Sequence, residues 1–538
     1  MIRKLIFGSV ASFALCVGLQ AQDIYKVETF SGSDLNGTAR FVGMGGAMSA
    51  LGADISVMGQ NPAGIGLYRR SDVAVTASVT NQPNGKSFGE IDKARTSFDQ
   101  AGFVYACKLG ESGFKYINFG FNYQKRRNLK NYIGLNDIAT SNGLSQSWQM
   151  LNLAYYGSSL LDLSTTSGRN YTTPLACLGY DTQMIYPEYD DDGNLTGYTP
   201  SYADSYNYKR AQWGGVQQFD FNLSLNWEDR IYGGITFGVY NVNMHTATYY
   251  AENLIEYGDD GNATGTTYPY YMTNSEKVTG TGYDLKFGLI VRPIEDSPFR
   301  IGFSFSTPTF YDLRQSSYLY MNSPYVYTDD VGNTYQNTEA DVYVSGFDYR
   351  IYTPWKVNIS LGTTVGNYLA IDAEYEVSKY TGAQVRYPDY DGWGYESLSS
   401  SKDYALAEEI EYFLKPVSTF RIGAEVRLAK NWLGRVGYNF VSAPFEKDAY
   451  LNLFTDSPSY YYSTNTDYVN LSEIHRATFG LGFRDTHFYA DFAYQYQHQT
   501  GDVYAFNVPY SGTEINRLHS QKVNLNRNNF MLTLGYKF

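Results

Sequence analysis

The chain has 538 residues, 54 of them tyrosine and 51 glycine, and its 17% aromatic against 18% charged content is unlike that of an ordinary soluble domain. A formal charge of −13, from 41 Lys plus Arg against 54 Asp plus Glu, has the wrong sign for binding nucleic acid through the overall field. A mean hydropathy of −0.37 with its long apolar run at the N-terminus excludes a bundle of transmembrane helices, and 43% hydrophobic content excludes a fully disordered chain.

Residues 1–21 open with Arg3 and Lys4, continue through an apolar core from Leu5 to Leu19, and end on the small Ala21 before Gln22. This is the layout of a cleaved secretory signal peptide. The bulky Leu15 directly before Cys16 argues against a lipoprotein box. Residues 22–70 do not read as a membrane strand. From Phe41 to Val57 they are small and glycine-rich, and Gln60-Asn61-Pro62-Ala63-Gly64-Ile65-Gly66 follows. Pro62 disfavours helix at Asn61, and Gly64 and Gly66 permit sharp turns, so a compact coil in a confined space is predicted. Gly43, Gly45 and Gly46 lack the spacing of a dinucleotide-binding fingerprint.

Beyond residue 70 the recurrent signal is alternation with period two. Tyr116 to Lys125 sets Ile117, Phe119, Phe121 and Tyr123 against Asn118, Gly120, Asn122 and Gln124; Leu369 to Val377 sets Leu369, Ile371, Ala373, Tyr375 and Val377 against Asp372, Glu374 and Glu376. Strands of this kind fall at about 71–80, 98–108, 115–125, 215–227, 231–245, 279–292, 299–308, 350–364, 367–379, 418–428, 432–441, 475–484, 487–497 and 526–538. The links between them alternate strictly between long and short, which is the asymmetry of an outer-membrane barrel with tight periplasmic turns and large external loops. A strand of about 10 residues rising roughly 3.3 Å each and tilted about 45° crosses the apolar band of such a barrel. Alternation through Phe530, Leu532, Leu534, Tyr536 and Phe538 runs to the C-terminus, as in a bacterial outer-membrane assembly signal.

The links themselves carry little chemistry. Asp190–Asn194, Asp259–Asn262 and Asp329–Asn333 lack the ligand order of a calcium loop and are predicted as hairpin tips. Lys125-Arg126-Arg127 is expected to be interfacial or loop, and Met150–Leu163 and Ala405–Leu414 have room for short helices. Beyond Cys16 only Cys107 and Cys177 remain, too few for a disulfide framework or a multi-cysteine metal site, and His245, His475, His487, His498 and His519 show no close metal-ligand spacing. Neither His475 nor His487 has a recognisable nucleophile partner, so no catalytic residue and no cofactor are expected.

Gly45-Gly46-Ala47 leading to Gly52–Val57 and then Asn61-Pro62-Ala63-Gly64 resembles the hatch and NPA motif of the FadL-type family of outer-membrane transporters for long-chain fatty acids and aromatic hydrocarbons. Thr353–Lys356, Arg435–Tyr438 with Ser442–Pro444, and His475–Phe483 continuing to Ala493-Tyr494 are similar to further family signatures. The external links, residues 126 to 214 above all, look longer than the family needs.

The expected fold is therefore all-β: a 14-stranded antiparallel transmembrane β-barrel over residues 71–538, with an N-terminal hatch, 22–70, which the resemblance places inside the lumen. The resemblance further implies passive uptake of a hydrophobic small-molecule ligand, gated by the hatch, with Asn61, Pro62, Ala63 and Gly64 as the gate or ligand-binding candidates. The same motif read alone needs only to turn the chain. Docking in protein secretion or surface attachment through the external loops is the alternative. A continuous apolar lumen would favour transport, and a polar, filled one would favour docking. The remaining expectations are a bacterial outer-membrane location, outer-membrane lipid as the surrounding partner, no nucleic acid, no metal and a monomer.

Overall fold

The computed structural model describes residues 24–83, 94–110, 113–257, 262–323, 327–328, 334–335, 338–391, 393, 396–452, 457, 462–508 and 518–538. The predicted signal peptide, 1–21, the hairpin tip Asp329–Asn333 and all but Asn262 of Asp259–Asn262 lie outside the described residues.

Thirteen of the predicted period-two segments each fall on one strand, and the remaining one, 350–364, is split at 353–355 between strands Thr338–Tyr352 and Lys356–Val365. In chain order the wall strands are β1 (Asp72–Asn81), β2 (Ala94–Lys108), β3 (Phe114–Asn128), β4 (Ala203–Trp227), β5 (Ile231–Tyr257), β6 (Ala263–Val291), β7 (Arg300–Ser306), β8 (Lys356–Val365), β9 (Leu369–Lys379), β10 (Pro416–Arg427), β11 (Trp432–Val441), β12 (Tyr468–Arg484), β13 (Phe488–Tyr504) and β14 (Arg527–Lys537). Each pairs antiparallel with the next, and β14 returns to β1 from Asp72↔Lys537 to Asn81↔Asn528. The ring is closed, so each wall strand has a hydrogen-bonded neighbour on both sides where it crosses the lipid belt, as a bilayer requires.

The two faces of the wall sort by solvent. Outward-facing Phe119, Phe221, Phe237, Phe303, Phe479 and Leu532 are 44–54% exposed, and their neighbours extend this belt around the barrel. In water so large an apolar surface would drive aggregation, whereas in hydrocarbon it is what the strand needs. Inward-facing Asn118, Asn222, Thr236, Ser304, Asp372 and Thr478 are buried and polar. The short turns and the C-terminus gather at one end, where Phe538 N donates to Ser71 O (3.0 Å), and the long links stand at the other.

The wall rises further than periodicity foretold. β4, β5 and β6 have 25, 27 and 29 residues and continue far above the lipid belt. There Lys209, Thr273 and Asn253 take the outward positions, so the apolar alternation that marks a membrane strand fades although the ladder does not. β7 and β8 are continued by strands Phe310–Ser323 and Thr338–Tyr352 after breaks at Pro308 and Pro354, which have no N–H to give a ladder. Helix Tyr404–Phe413 occupies the second predicted region, but in the first, 150–163, helix Ser147–Leu153 ends early and a small hairpin, Tyr155–Tyr156/Ser159–Leu160, takes its place; Asp190–Asn194 turns the hairpin Ile185–Tyr189/Leu195–Pro200 with Gly193 at φ +80°.

Residues 24–70 run inside the barrel from the long-link end to the short-turn end. In place of the predicted coil they form helices α1 (Ile24–Ser31) and α2 (Ala39–Gly43) and 3₁₀ turns Ile55–Gly59 and Pro62–Leu67. Thr38, Asp54 and Asn61 each cap the element that follows by accepting a backbone N–H, which is how so small-residued a stretch holds helical turns.

Candidate functional site: the filled lumen

The wall holds the glycine-rich part of this inner segment with carboxylates. Glu374 of β9 accepts from Met48 N and Ser49 N (both 2.6 Å), and Asp372 accepts from Ala50 N (3.0 Å) and Leu51 N (2.9 Å), so four successive amides end on two acids. The other oxygen of Glu374 takes Gln60 Nε2 (2.8 Å) and Asn358 Nδ2 (3.2 Å). One turn away, Arg40 of α2 forks onto Glu425 of β10 (both contacts 3.1 Å), and Glu425 is shared with Arg435 of β11 (2.6 Å), itself on Asp491 (2.7 Å). Charge-assisted bonds of this kind contribute about 1.5–3 kcal/mol each.

Asn61, Pro62, Ala63 and Gly64 are brought together in one buried turn. Asn61 Oδ1 accepts from Ala63 N (3.2 Å) and its Nδ2 donates to Ser49 O (3.0 Å), tying the motif to the glycine-rich turn. Pro62 O accepts from Ser224 Oγ (2.8 Å) and Asn222 Nδ2 (3.3 Å) of β4, and Gly64 O accepts from Ala53 N (3.0 Å). Wall glycines make the approach possible. A Cβ on Gly288 of β6 would lie 2.1 Å from Asn61 Oδ1, and one on Gly437 of β11 2.2 Å from Gly45 N. The motif is thus seated against the wall and faces no open space.

Toward the long-link end the lumen changes character. A cavity of about 150 Å³, room for roughly five waters, is lined by Arg126, Arg127, Lys286, Lys356, Arg421 and Arg476 together with Glu28, Asp34, Asp284 and Glu376. Four of the cations are satisfied or nearly so: Arg127 forks onto Glu28 (2.9 and 3.2 Å), Arg421 meets Glu376 (3.0 Å) and Lys286 meets Asp284 (2.7 Å), while Arg126 rests on Tyr240 Oη (2.8 Å) with Asp284 4.0 Å away. Arg126 Nε and Arg476 Nη2 are buried without a hydrogen-bond partner, and Lys356 Nζ makes a hydrogen bond to the Ser31 carbonyl (3.2 Å).

Beside this cavity lies an apolar chamber that α1 fills. Ile24, Val27 and Phe30 are fully buried against Tyr240, Tyr311, Leu406, Ile410 and Phe413, with Phe30 and Tyr311 rings 5.5 Å apart. Besides this packing, α1 is tied by Lys26 to Glu276 (2.8 Å), by Tyr25 to Asn470 (2.8 Å) and by the Arg127 fork. It lacks the array of wall carboxylates that fixes residues 40–64.

Sequence reading found the four-residue turn but not its seat or the cationic cavity. Asp372, Glu374 and Glu376 at successive inward positions of one strand are the signal, since three acids in a row need cations or amides inside the barrel. Lys125-Arg126-Arg127, expected as interfacial or loop, divides instead: a bulge between Lys125 and Arg127 turns both arginines into the lumen. His475 accepts or donates with Tyr438 Oη (2.7 Å) on the outer wall, and His487 stacks on Tyr536. Cys107 and Cys177 are free.

No protein-family model matches the chain, and no curated protein matches it. Among solved structures it is similar to a Pseudomonas aeruginosa FadL homologue (11% identity, 94% of this chain and 99% of that one, TM-score 0.48). It is also similar to the Ralstonia pickettii toluene transporter TbuX (14%, 94% and 99%, 0.43) and to the CymD monoaromatic hydrocarbon channel (10%, 94% and 99%, 0.46).

Proposed function

We propose that this chain is an outer-membrane channel that takes up amphiphilic hydrophobic small molecules, of the long-chain carboxylate kind, with α1 as the displaceable gate and Asn61–Gly64 as the fixed base of the hatch. The observation that carries the reading is the juxtaposition of a cationic cavity and an apolar chamber on the two sides of α1. A carboxylate head suits Arg126, Lys356 and Arg476, whose donors are under-used, and an alkyl chain suits the space that Ile24, Val27 and Phe30 occupy. A neutral aromatic hydrocarbon would leave Arg126 Nε and Arg476 Nη2 without a hydrogen bond, so of the two cargo classes implied by the family resemblance the acid is favoured. The ligand enters as a competitor. Burying three apolar side chains contributes about 1.5–3 kcal/mol each and a methylene about 0.8 kcal/mol, so roughly 6–11 methylenes match what α1 gives up. The closed ring supports a monomer as the working unit.

The test is binding of a long-chain carboxylate and of the alcohol of equal length to the detergent-solubilised protein, and to its Lys356→Gln variant. The reading expects the acid to bind at least tenfold more tightly than the alcohol, with most of that difference lost in the variant. Equal affinities would sink it.

The polar, filled lumen also favours the docking alternative, for which Trp393 (88% exposed), Tyr404 (75%) and Tyr412 (66%) on the long-link side would supply the surface. Absence of any amphiphile binding would move the assignment there.

A further inference from the structure

Above the bilayer the long strands keep an outer face that uptake does not use. The lipid belt ends in a girdle in which Tyr283 of β6 meets Phe310 (5.5 Å) and Phe310 meets Tyr352 (4.8 Å), rings of three neighbouring strands. The ladders continue past it. β5 stays in register with β6 up to Ile255↔Thr267, β6 with strand Phe310–Ser323 up to Tyr271↔Asn322, and that strand pairs with Thr338–Tyr352 up to Ser323↔Thr338. Tyr249 lies ten residues beyond Val239, the partner of Tyr283, along this ladder, so at roughly 3.3 Å per residue and a tilt of about 45° it stands about 23 Å above the girdle.

Parity fixes the side. Phe237 of β5 and Phe287 of β6 face lipid, and Tyr249 and Tyr271 lie an even number of residues along the same strands, so they face out as well. Tyr318 and Tyr320 share the parity of Phe310, and Tyr343 is the partner of Tyr318. Five tyrosines thus occupy one outer face across four strands. Tyr249 stacks on Tyr271 (6.2 Å, 22°), Tyr271 meets Tyr320 (5.9 Å), and Lys209 of β4 lies over the Tyr249 ring (5.6 Å). One pleat nearer the membrane stand Tyr318, 40% exposed, and Tyr343, 64%. Ser275, Glu339 and Asp341 are exposed among them, and Tyr320 Oη donates to Glu339 (2.8 Å).

This face matches neither of the media beside it. In the lipid belt the outward positions of the same strands are Phe, Leu and Ile, and hydrocarbon would not accept Lys209, Glu339 and Asp341 in their place. Water alone has no use for five rings side by side. A tyrosine has an apolar body and a polar tip, which suits a partner that presents C–H groups edged with hydroxyls. A sugar ring is such a partner.

We propose that this tyrosine face binds the sugar chain of an outer-leaflet glycolipid. The occupant follows from continuity: the face rises from the lipid belt along the same strands, so what lies against it is the part of the surrounding lipids that stands above their head groups. Acyl chains against the belt below hold the sugars at high local concentration, so stacking on the rings, with hydroxyls meeting Ser275, Glu339 and Asp341, needs little affinity of its own.

The experiment uses the full-length protein in nanodiscs free of glycolipid and titrates probes prepared from the lipopolysaccharide of the native host: the intact glycolipid, its delipidated polysaccharide and its lipid A. Calorimetry reads the affinities. The intact glycolipid should bind at least tenfold more tightly than the polysaccharide alone. A lost ring is worth about two- to tenfold in affinity, so the triple variant Tyr249→Thr, Tyr320→Thr, Tyr343→Thr is expected to bind the intact glycolipid on the order of 100-fold more weakly, no better than lipid A. Threonine keeps the strand propensity, and resistance to sodium dodecyl sulfate reports that the variant barrel is folded. The triple variant Tyr249→Phe, Tyr320→Phe, Tyr343→Phe keeps the rings and should bind nearly as the parent does. Equal binding by the parent and the threonine variant, or lipid A held by the parent as tightly as the intact glycolipid, would overturn the site. Polysaccharide held as tightly as the intact glycolipid would overturn the lipid-linked chain as its occupant.

Discussion

Glu374→Gln isolates the seat of the inner segment without changing its shape. The carboxylate accepts two backbone amides on one oxygen and two side-chain amides on the other, with Arg421 Nη1 3.4 Å away. A glutamine oxygen turned to Met48 N and Ser49 N converts two charge-assisted bonds into neutral ones, a loss of about 1 kcal/mol each. Its amide nitrogen then faces Gln60 Nε2, Asn358 Nδ2 and Arg421, donors against a donor, which costs about 1–3 kcal/mol more. The sum, about 3–5 kcal/mol, shifts the balance between seated and unseated segment by roughly two to four powers of ten. Two assays read it: single-channel conductance in planar bilayers, where brief openings should become frequent, and tryptic cleavage after Arg40, which is covered while α2 sits on Glu425. A variant with parental conductance and a protected Arg40 would refute the claim that Glu374 holds the segment.

Further outcomes are expected elsewhere in the molecule. Gly288→Ala places a methyl 2.1 Å from Asn61 Oδ1 and should cost about 1–3 kcal/mol of seating while the barrel itself still resists sodium dodecyl sulfate; unchanged conductance would contradict this. Phe30→Ala leaves a hole in the chamber beside Tyr311, loosening α1, and should raise affinity for a long-chain carboxylate; calorimetry showing weaker binding would place the chain elsewhere. In the external layer, Glu252 is buried with Gln146 N (2.6 Å), Ser145 Oγ (2.8 Å) and Tyr250 Oη (2.5 Å) on its oxygens, and burial pushes its pKa up from 4.5 to about 7. A carboxyl raised on folding stabilises fully below its free value and less as pH climbs through 7, by about 3 kcal/mol in all. Hydrogen exchange in Ser147–Leu153, corrected for intrinsic rates, should therefore rise from pH 5 to pH 8, and Glu252→Gln should flatten the change.

How much could be read in advance follows the solvent. Where lipid faced the wall, one side of each strand had to be apolar, and all fourteen strands were legible from Phe119, Phe221 or Leu532 alternating with polar partners. Above the bilayer water faces both ends of the pattern, so the upper halves of β4, β5 and β6 lost the signal while keeping the ladder. Asn61–Gly64 was legible as a turn because proline and glycine punctuate locally. Its seat was not, because Asn222 and Ser224, whose side chains donate to Pro62 O, lie 160 and 162 residues away in sequence and look like any polar inward positions until the carbonyl they meet is in place. Arg126 and Arg127 were misplaced for a similar reason: a single bulge, invisible to period counting, decides which side of the wall they reach.

The central claim is that an amphiphile displaces α1 while the rest of the inner segment stays seated. Hydrogen exchange of the full-length protein with and without a saturating long-chain carboxylate tests it most directly. The account predicts faster exchange confined to residues 24–31, with Met48–Leu51 and Asn61–Gly64 as protected as before. Binding that leaves α1 protected, or that releases residues 44–64 together with it, would contradict the account.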